Sequence, residues 1–143
     1  MWDGFEAAVL AVLGQTLTAA GPKRVTARLV KTFGSPFETP VRGLDRLFPT
    51  PEVLAAGDLS EAGVPDNCAV TLRKLTRPAV RRQLQFRTST ILEEAVSQLT
   101  SLGGIDEGTA NYIAMRAFGE PDAFPLNGLP QAAAARWRPW RAY

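Results

Sequence analysis

The chain has 143 residues, of which 45% are hydrophobic and 21% charged, a composition typical of a globular domain that buries one core. Sixteen lysines and arginines against fourteen acids leave a net charge of +2, which alone is a weak indication of an anionic partner. The single cysteine, Cys68, excludes an internal disulfide, and the absence of histidine excludes Ser-His-Asp catalysis, Cys-His catalysis and histidine-containing zinc sites.

The N-terminal residues include the acids Asp3 and Glu6 and do not resemble a signal peptide. No apolar run approaches the roughly 18 residues that are needed to cross a bilayer. The sequence therefore predicts a cytoplasmic protein.

Apolar residues recur at helical spacing near the N-terminus and predict a first helix. Its stripe consists of Phe5, Ala8, Val9, Val12 and Leu13. A second helix is expected to begin at Gly21-Pro22, where the missing N–H of proline costs nothing, and to end at Gly34. Thr50-Pro51-Glu52 then places an N-cap residue, a proline and an acid in the order that opens a short third helix.

Two aspartates predict the next helix starts. Asp58 is expected to cap a short helix, and Asp66 is expected to open a longer one, in which Pro78 introduces a kink. Basic residues without any intervening acid occupy this region and also follow Asp122. They are Arg73, Lys74, Arg77, Arg81, Arg82 and Arg87 in the first stretch, and Arg136, Arg138 and Arg141 in the second. The two stretches predict either a phosphate-binding face or the solvated side of an amphipathic helix.

The third quarter of the chain predicts two helices separated by glycines. Thr88 or Ser89 is expected to cap a helix over 90–101, Gly103-Gly104 breaks it, and helical periodicity resumes over 107–118. Because no strand-like alternation persists anywhere, we predict an all-α fold, a single compact domain over 1–143 with a helix-hairpin-helix motif at about 90–118. Glycines between two helices let a backbone approach a phosphate, although such a pair is more often simply a tight connection.

Four blocks, taken in order, resemble the helix-hairpin-helix DNA glycosylases of the 3-methyladenine DNA glycosylase II type. The blocks are residues 5–15 ending in Gly14-Gln15, Phe48-Pro49-Thr50-Pro51-Glu52 through Ala55, residues 102–116, and Asp122-Ala123-Phe124-Pro125 with Trp137-Arg138-Pro139-Trp140-Arg141. The resemblance implies a base-excision repair protein that hydrolytically releases alkylated bases, such as 3-methyladenine, from duplex DNA. The family flips the damaged base into an aromatic cleft, where a carboxylate stabilises the cationic sugar.

The chain resembles a divergent, shortened member of the family. It departs from the family's pattern at the catalytic position and in the hairpin. Gly128 occupies the position of the family's catalytic aspartate, which leaves Asp122 as a weak substitute. Asp106 replaces the hairpin's second glycine and is expected to oppose a phosphate, Gly108 replaces its tryptophan, and Gly103 its proline. The segment between Gly128 and the Trp-Arg-Pro-Trp-Arg element is also shorter than in the family.

The resemblance nevertheless implies a set of site residues. DNA-binding positions are Gln15, Thr16, Gly103, Gly104, Ile105, Asp106 and Thr109. The base pocket would be lined by Tyr112, Trp137 and Trp140, with core packing as the alternative for all three. Backbone carbonyls of Thr100, Leu102 and Ile105 match positions that hold a monovalent cation; no cofactor is required. We expect a monomer that binds duplex DNA.

Three functions remain open on the sequence alone. The chain is a glycosylase for alkylated bases, a non-catalytic DNA- or damage-binding relative that has lost the catalytic aspartate, or a plain helical interaction module. A carboxylate that points into the cleft beside Tyr112 would favour the first over the second. Salt-dependent binding of duplex DNA would separate both from the third.

Overall fold

A computed structural model describes residues 3–84, 91–125 and 135–139 of the chain. The helices are α1 (Gly4–Thr16), α2 (Gly21–Phe33), α3 (Pro51–Ala56), α4 (Asp66–Val80), α5 (Leu92–Ser101) and α6 (Glu107–Ile113). A 3₁₀ turn (Leu59–Ala62) precedes α4, and a π-helical turn (Ala114–Phe118) continues α6. Within these residues no strand forms, and the single isolated β-bridge joins Pro36 to Arg46. The predicted all-α class is confirmed.

Helix α1 lies at the centre of the fold. Asp3 caps it by accepting a hydrogen bond from the backbone N–H of Phe5 at 2.9 Å. The helix is buried on more than the predicted stripe, since Ala7 and Ala11 are also in the core, and it contacts α2, α4 and α6. Burial, and then the neighbouring Asp3 carboxylate, raises the pKa of Glu6.

The predicted starts of the next elements are confirmed. Helix α2 begins at Gly21 and buries Val25 and Leu29, and α3 begins at Pro51. Asp58 caps the 3₁₀ turn by accepting from the backbone N–H of Ser60 at 3.0 Å. The hydrogen bonds from the hydroxyl and the backbone N–H of Ser60 lower the pKa of Asp58.

Helix α4 ends near Pro78, and helix α5 begins later than predicted. Pro78 lies in the last turn of α4, and its carbonyl accepts from the N–H groups of Gln83 and Leu84; the kink at this residue stays a prediction. Helix α5 begins at Leu92 with Ile91 at the N-cap position and no side-chain cap, two residues later than expected. The expected caps, at 88 and 89, lie outside the described residues.

Candidate functional site

The connection between α5 and α6 is a hairpin of five residues, Leu102 to Asp106, built on two consecutive glycines. Gly103 has φ +74° and Gly104 has φ +91°, a region that residues with a side chain rarely adopt. The N–H of Gly103 donates to the carbonyl of Thr100 at 3.1 Å, which tightens the end of α5. Ile105 is buried and belongs to the core, so its side chain anchors the hairpin there.

Helix α4 supports the hairpin from one side. A Cβ atom on Gly104 would collide with Oγ1 of Thr71, a buried residue of α4. A Cβ atom on Gly103 would lie 3.2 Å from Nζ of Lys74, so the exposed ammonium group of this lysine lies beside the hairpin. Lys74 therefore adds positive charge where the hairpin backbone is accessible.

Helix α1 supports the hairpin from the other side through Gln15. The amide of Gln15 donates from Nε2 to the carbonyl of Gly104 at 2.9 Å, and its Oε1 accepts from the N–H of Asp106 at 3.3 Å. Thr16 lies in the same last turn of α1, where its hydroxyl donates to the carbonyl of Val12 at 3.3 Å. In this structure Gln15 fastens the hairpin to α1; its insertion into a DNA groove, implied by the resemblance, stays a prediction.

Asp106 has a role that the sequence analysis missed. Its Oδ1 accepts from the backbone N–H of Thr109 at 2.7 Å, which makes it the N-cap of α6. The signal was present in the sequence, because an aspartate immediately before a helix is a preferred cap. The carboxylate thus stabilises α6 while it occupies the N-terminal end of the helix, where an anionic ligand would otherwise be favoured.

A cavity of about 300 Å³ opens between α1 and α6, immediately beside the hairpin. It is lined by Leu10, Ala11, Gly14, Gln15, Gly108, Thr109, Tyr112 and Pro125. Two of these are glycines, one on each helix, and a Cβ atom on Gly14 would meet nothing within 4 Å. Tyr112 is 38% exposed and forms the aromatic wall, so it lies at the cavity and not in the core.

No acidic residue is among the described residues that line this cavity. Asp122 lies nearby in sequence to Pro125, but its Oδ2 is 3.4 Å from Nε of Arg138. This pairing supports a structural role for Asp122 in holding the 135–139 segment. Gly128, at the predicted catalytic position, lies outside the described residues.

Trp137 does not fit the core-packing alternative. Trp137 is 49% exposed and contacts Phe124 edge-on, with ring centroids 6.0 Å apart, so core packing is wrong for this residue. It is not one of the described residues at the cavity. Trp140 lies outside the part of the chain that the structure describes.

The first basic stretch divides between structural and exposed residues. Arg73 donates from its guanidinium to the carbonyls of Ala55 and Gly57, both at 3.3 Å, and so joins α4 to the end of α3. Arg73 thus has a structural role that neither predicted alternative included. Lys74, Arg77 and Arg81 are exposed. The basic residues at 87 and 141 lie outside the described ranges.

Residues 3–84, 91–125 and 135–139 contain no cluster of three or more histidine, cysteine, aspartate or glutamate side chains that could hold a metal ion. None of their helices combines the length and apolar character of a membrane span.

No family model matches the sequence, but two curated proteins are similar to it. The probable bifunctional transcriptional activator/DNA repair enzyme AlkA of Mycobacterium tuberculosis is 34% identical, over 99% of this chain and 32% of its own length. The DNA-3-methyladenine glycosylase 2 of Escherichia coli is 32% identical, over 99% of this chain and 55% of its own length. The chain thus spans between a third and about half of these relatives.

Solved structures share the fold. The 3-methyladenine DNA glycosylase of Archaeoglobus fulgidus matches with a TM-score of 0.74 and 27% identity, over 89% of this chain and 43% of that one. The 8-oxoguanine glycosylase/lyase of Clostridium acetobutylicum, in complex with double-stranded DNA, matches with a TM-score of 0.76 and 17% identity, over 95% of this chain and 48% of that one. At that identity the second match shows the fold alone.

Proposed function

This chain belongs to the helix-hairpin-helix DNA glycosylase superfamily, and from this premise we propose that it binds duplex DNA and takes an alkylated base into the cavity between α1 and α6. One observation carries the proposal. The cavity and the hairpin share two residues, because Gln15 and Thr109 line the cavity and also bond to the hairpin residues Gly104 and Asp106. A duplex held at the hairpin therefore has the cavity immediately beside it.

The hairpin would hold the sugar–phosphate backbone. Gly103 and Gly104 present backbone without side chains, and the Lys74 ammonium group supplies a charge beside them. Contacts of this kind fix the position of a duplex without reading its sequence. Sequence-independent binding is what a protein that searches for damaged bases requires.

The cavity would hold the base after it leaves the stack. Its floor is apolar at Leu10 and Ala11, and Tyr112 offers a ring on which a base can stack, worth about 1–3 kcal/mol. A purine that carries an alkyl group on a ring nitrogen is cationic, so the electron-rich face of Tyr112 attracts it more than a neutral base. Extrusion costs a few kcal/mol and costs least for a weakly paired lesion, which adds to the selection.

The reaction is hydrolysis of the N-glycosidic bond. The bond between the base nitrogen and the sugar carbon breaks, and its electron pair goes to the base and neutralises the positive charge there. Water then supplies hydroxide to the cationic sugar carbon, and one proton is released to solvent. A carboxylate would stabilise the sugar cation electrostatically. None is present among the described residues at the cavity, so the contribution of these residues is base binding.

The test uses a duplex that carries one 3-methyladenine and an undamaged duplex of the same sequence. Binding is measured by fluorescence anisotropy, and free base is measured by chromatography. We expect both duplexes to bind and the damaged one to bind more tightly. Tighter binding without release would identify a non-catalytic damage-binding relative, and absence of binding to either duplex would refute the proposal. As the sequence predicts, the protein would act as a monomer on cytoplasmic DNA without a required cofactor.

Replacing Asp106 with asparagine is expected to tighten binding of undamaged duplex by several-fold. Asparagine is as good an N-cap as aspartate, so the hydrogen bond to Thr109 is retained while the negative charge beside the phosphate is lost. The measurement is the anisotropy titration described above, at two salt concentrations. Glu107→Gln, one residue further along in α6, is the matched control with the same change of charge and no capping bond. Unchanged or weaker binding by Asp106→Asn would show that the hairpin does not contact the DNA.

The hairpin carbonyls would also hold a monovalent cation. Leu102 and Ile105 flank the two glycines, and in the described part of the chain their carbonyls accept no hydrogen bond, while Thr100 accepts one from Gly103. Carbonyl oxygens are the ligands with which proteins replace the hydration shell of K⁺. At ten times its dissociation constant, K⁺ would stabilise the fold by about 1.4 kcal/mol. We expect a higher melting temperature in potassium chloride than in tetramethylammonium chloride of equal ionic strength; equal melting temperatures would contradict the site.

A further inference from the structure

Helix α2 carries a stripe of positive charge that neither the hairpin nor the cavity explains. Arg24, Arg28 and Lys31 are all exposed and lie at positions i, i+4 and i+7, so they share one side of the helix. The opposite side buries Val25 and Leu29. No acidic residue occurs anywhere in the sequence of α2. We call these three residues the α2 stripe.

The α2 stripe is not neutralised by its surroundings. Among residues 3–84, 91–125 and 135–139, no acidic side chain forms an ion pair within 4.0 Å with Arg24, Arg28 or Lys31. The first residue of the stripe, Arg24, lies with Lys23 in the first turn of α2, where the helix dipole makes a positive charge destabilising. Unpaired like charges that weaken their own helix indicate an anionic ligand.

The position of α2 connects the stripe to the proposed DNA site. Helix α1 ends at Thr16, one residue after Gln15, which bonds the hairpin, and only residues 17–20 separate it from α2. Cβ of Leu17 lies 3.2 Å from the place of a Cβ on Gly21, so this link is compact. The stripe therefore starts at the hairpin and cavity end of the fold and leads away from it along α2.

The dimensions of the stripe suit a nucleic-acid backbone. A helix rises about 1.5 Å per residue, so the seven steps from Arg24 to Lys31 cover roughly 10 Å. One strand of B-DNA carries a phosphate every 3.4 Å or so along its axis, which gives about three phosphates over that length. An anionic membrane is a poorer match, because α2 exposes no large apolar side chain that could enter a bilayer: Val25 and Leu29 are buried, and Val30 and Phe33 are half-buried.

We infer that the α2 stripe binds the backbone of the same duplex next to the hairpin contact, as a second, sequence-independent phosphate site. The inference rests on the proposed function, since it extends the DNA surface that begins at the hairpin. The duplex would then be bound at two separate sites, the hairpin and the α2 stripe.

The test compares two double variants that lose the same charge. Arg24→Gln with Lys31→Gln removes the ends of the stripe and keeps Arg28, whose Nη1 lies beside Gly63. Arg42→Gln with Arg46→Gln removes two exposed arginines that lie outside α2 and outside both basic stretches. Each phosphate contact contributes about 0.9 to the slope of log affinity against log salt, so the stripe variant should lose about 1.8 from this slope. At 0.1 M salt the same relation gives roughly 60-fold weaker binding. The control pair should change the slope by much less.

The outcomes separate this inference from the proposed function. If the unmodified chain binds no duplex, the proposed function fails, and the α2 site fails with it. If the unmodified chain binds and the two double variants have equal slopes, the α2 site alone is refuted. Vesicles of phosphatidylserine and phosphatidylcholine provide a third arm, in which stripe-dependent binding as tight as that of the duplex would also overturn the inference. Melting temperatures of both variants confirm that they are folded.

Discussion

Replacing Gly104 with alanine is expected to lower the free energy of unfolding by about 3 kcal/mol, which would be a large part of the stability of a domain of this size. Two costs combine. The left-handed conformation of Gly104, with φ +91°, costs a residue with a Cβ about 1–2 kcal/mol. The new Cβ also collides with Oγ1 of the buried Thr71, and overpacking of this kind costs about 1–3 kcal/mol. The measurement is denaturant unfolding followed by circular dichroism.

Gly103→Ala is the matched control for this prediction. Gly103 also has a positive φ, but its new Cβ would meet only the far end of the Lys74 side chain. We therefore expect Gly103→Ala to lower the free energy of unfolding by only about 1 kcal/mol. Combining Gly104→Ala with Thr71→Ala removes the colliding hydroxyl. The double variant should therefore lose less unfolding free energy than the sum of the losses in the two single variants. If Gly104→Ala destabilises no more than Gly103→Ala, the close contact between hairpin and α4 is wrong.

The helices that the sequence predicts well are those whose ends are set by their own residues. Gly21-Pro22, Pro51 and Asp58 each fix an element start by local backbone chemistry, and the structure has the elements there. Helix α5 begins later than expected because Ile91, which has no capping group, occupies the N-cap position. Local signals cannot determine an end that lacks a local cap.

The sequence singles out candidate site residues that one motif carries, but it does not reveal contacts between distant parts of the chain. Gly103, Gly104 and Tyr112 lie in one contiguous stretch, so sequence alone could single them out. Gln15 bonds to residues about 90 positions away, and no pattern within the sequence reports such a contact. Arg73 was misjudged for a similar reason, since its partners at the end of α3 are 16 and 18 residues distant. The cavity likewise needs Gly14 and Gly108 from two different helices.

Release of 3-methyladenine by the unmodified chain is expected to be weak or undetectable, and Gly128→Asp is expected to raise it by about 10²–10³. By resemblance, Gly128 occupies the position of the catalytic aspartate, and one preorganised group of this kind lowers the barrier by roughly 3–4 kcal/mol. Asp122 is no replacement, because it is paired with Arg138. The measurement is the single-turnover rate of base release from the damaged duplex, with enzyme in excess.

Asn127→Asp is the control that makes this prediction specific, because it adds the same charge one residue earlier. If the carboxylate acts from a defined position beside the sugar, only Gly128→Asp accelerates release; if added charge near the cavity suffices, both variants do. Binding of the damaged duplex should be similar for both, so that a difference in rate reflects the chemical step. Rapid release by the unmodified chain would show that another residue stabilises the sugar cation and that Gly128 does not occupy the catalytic position.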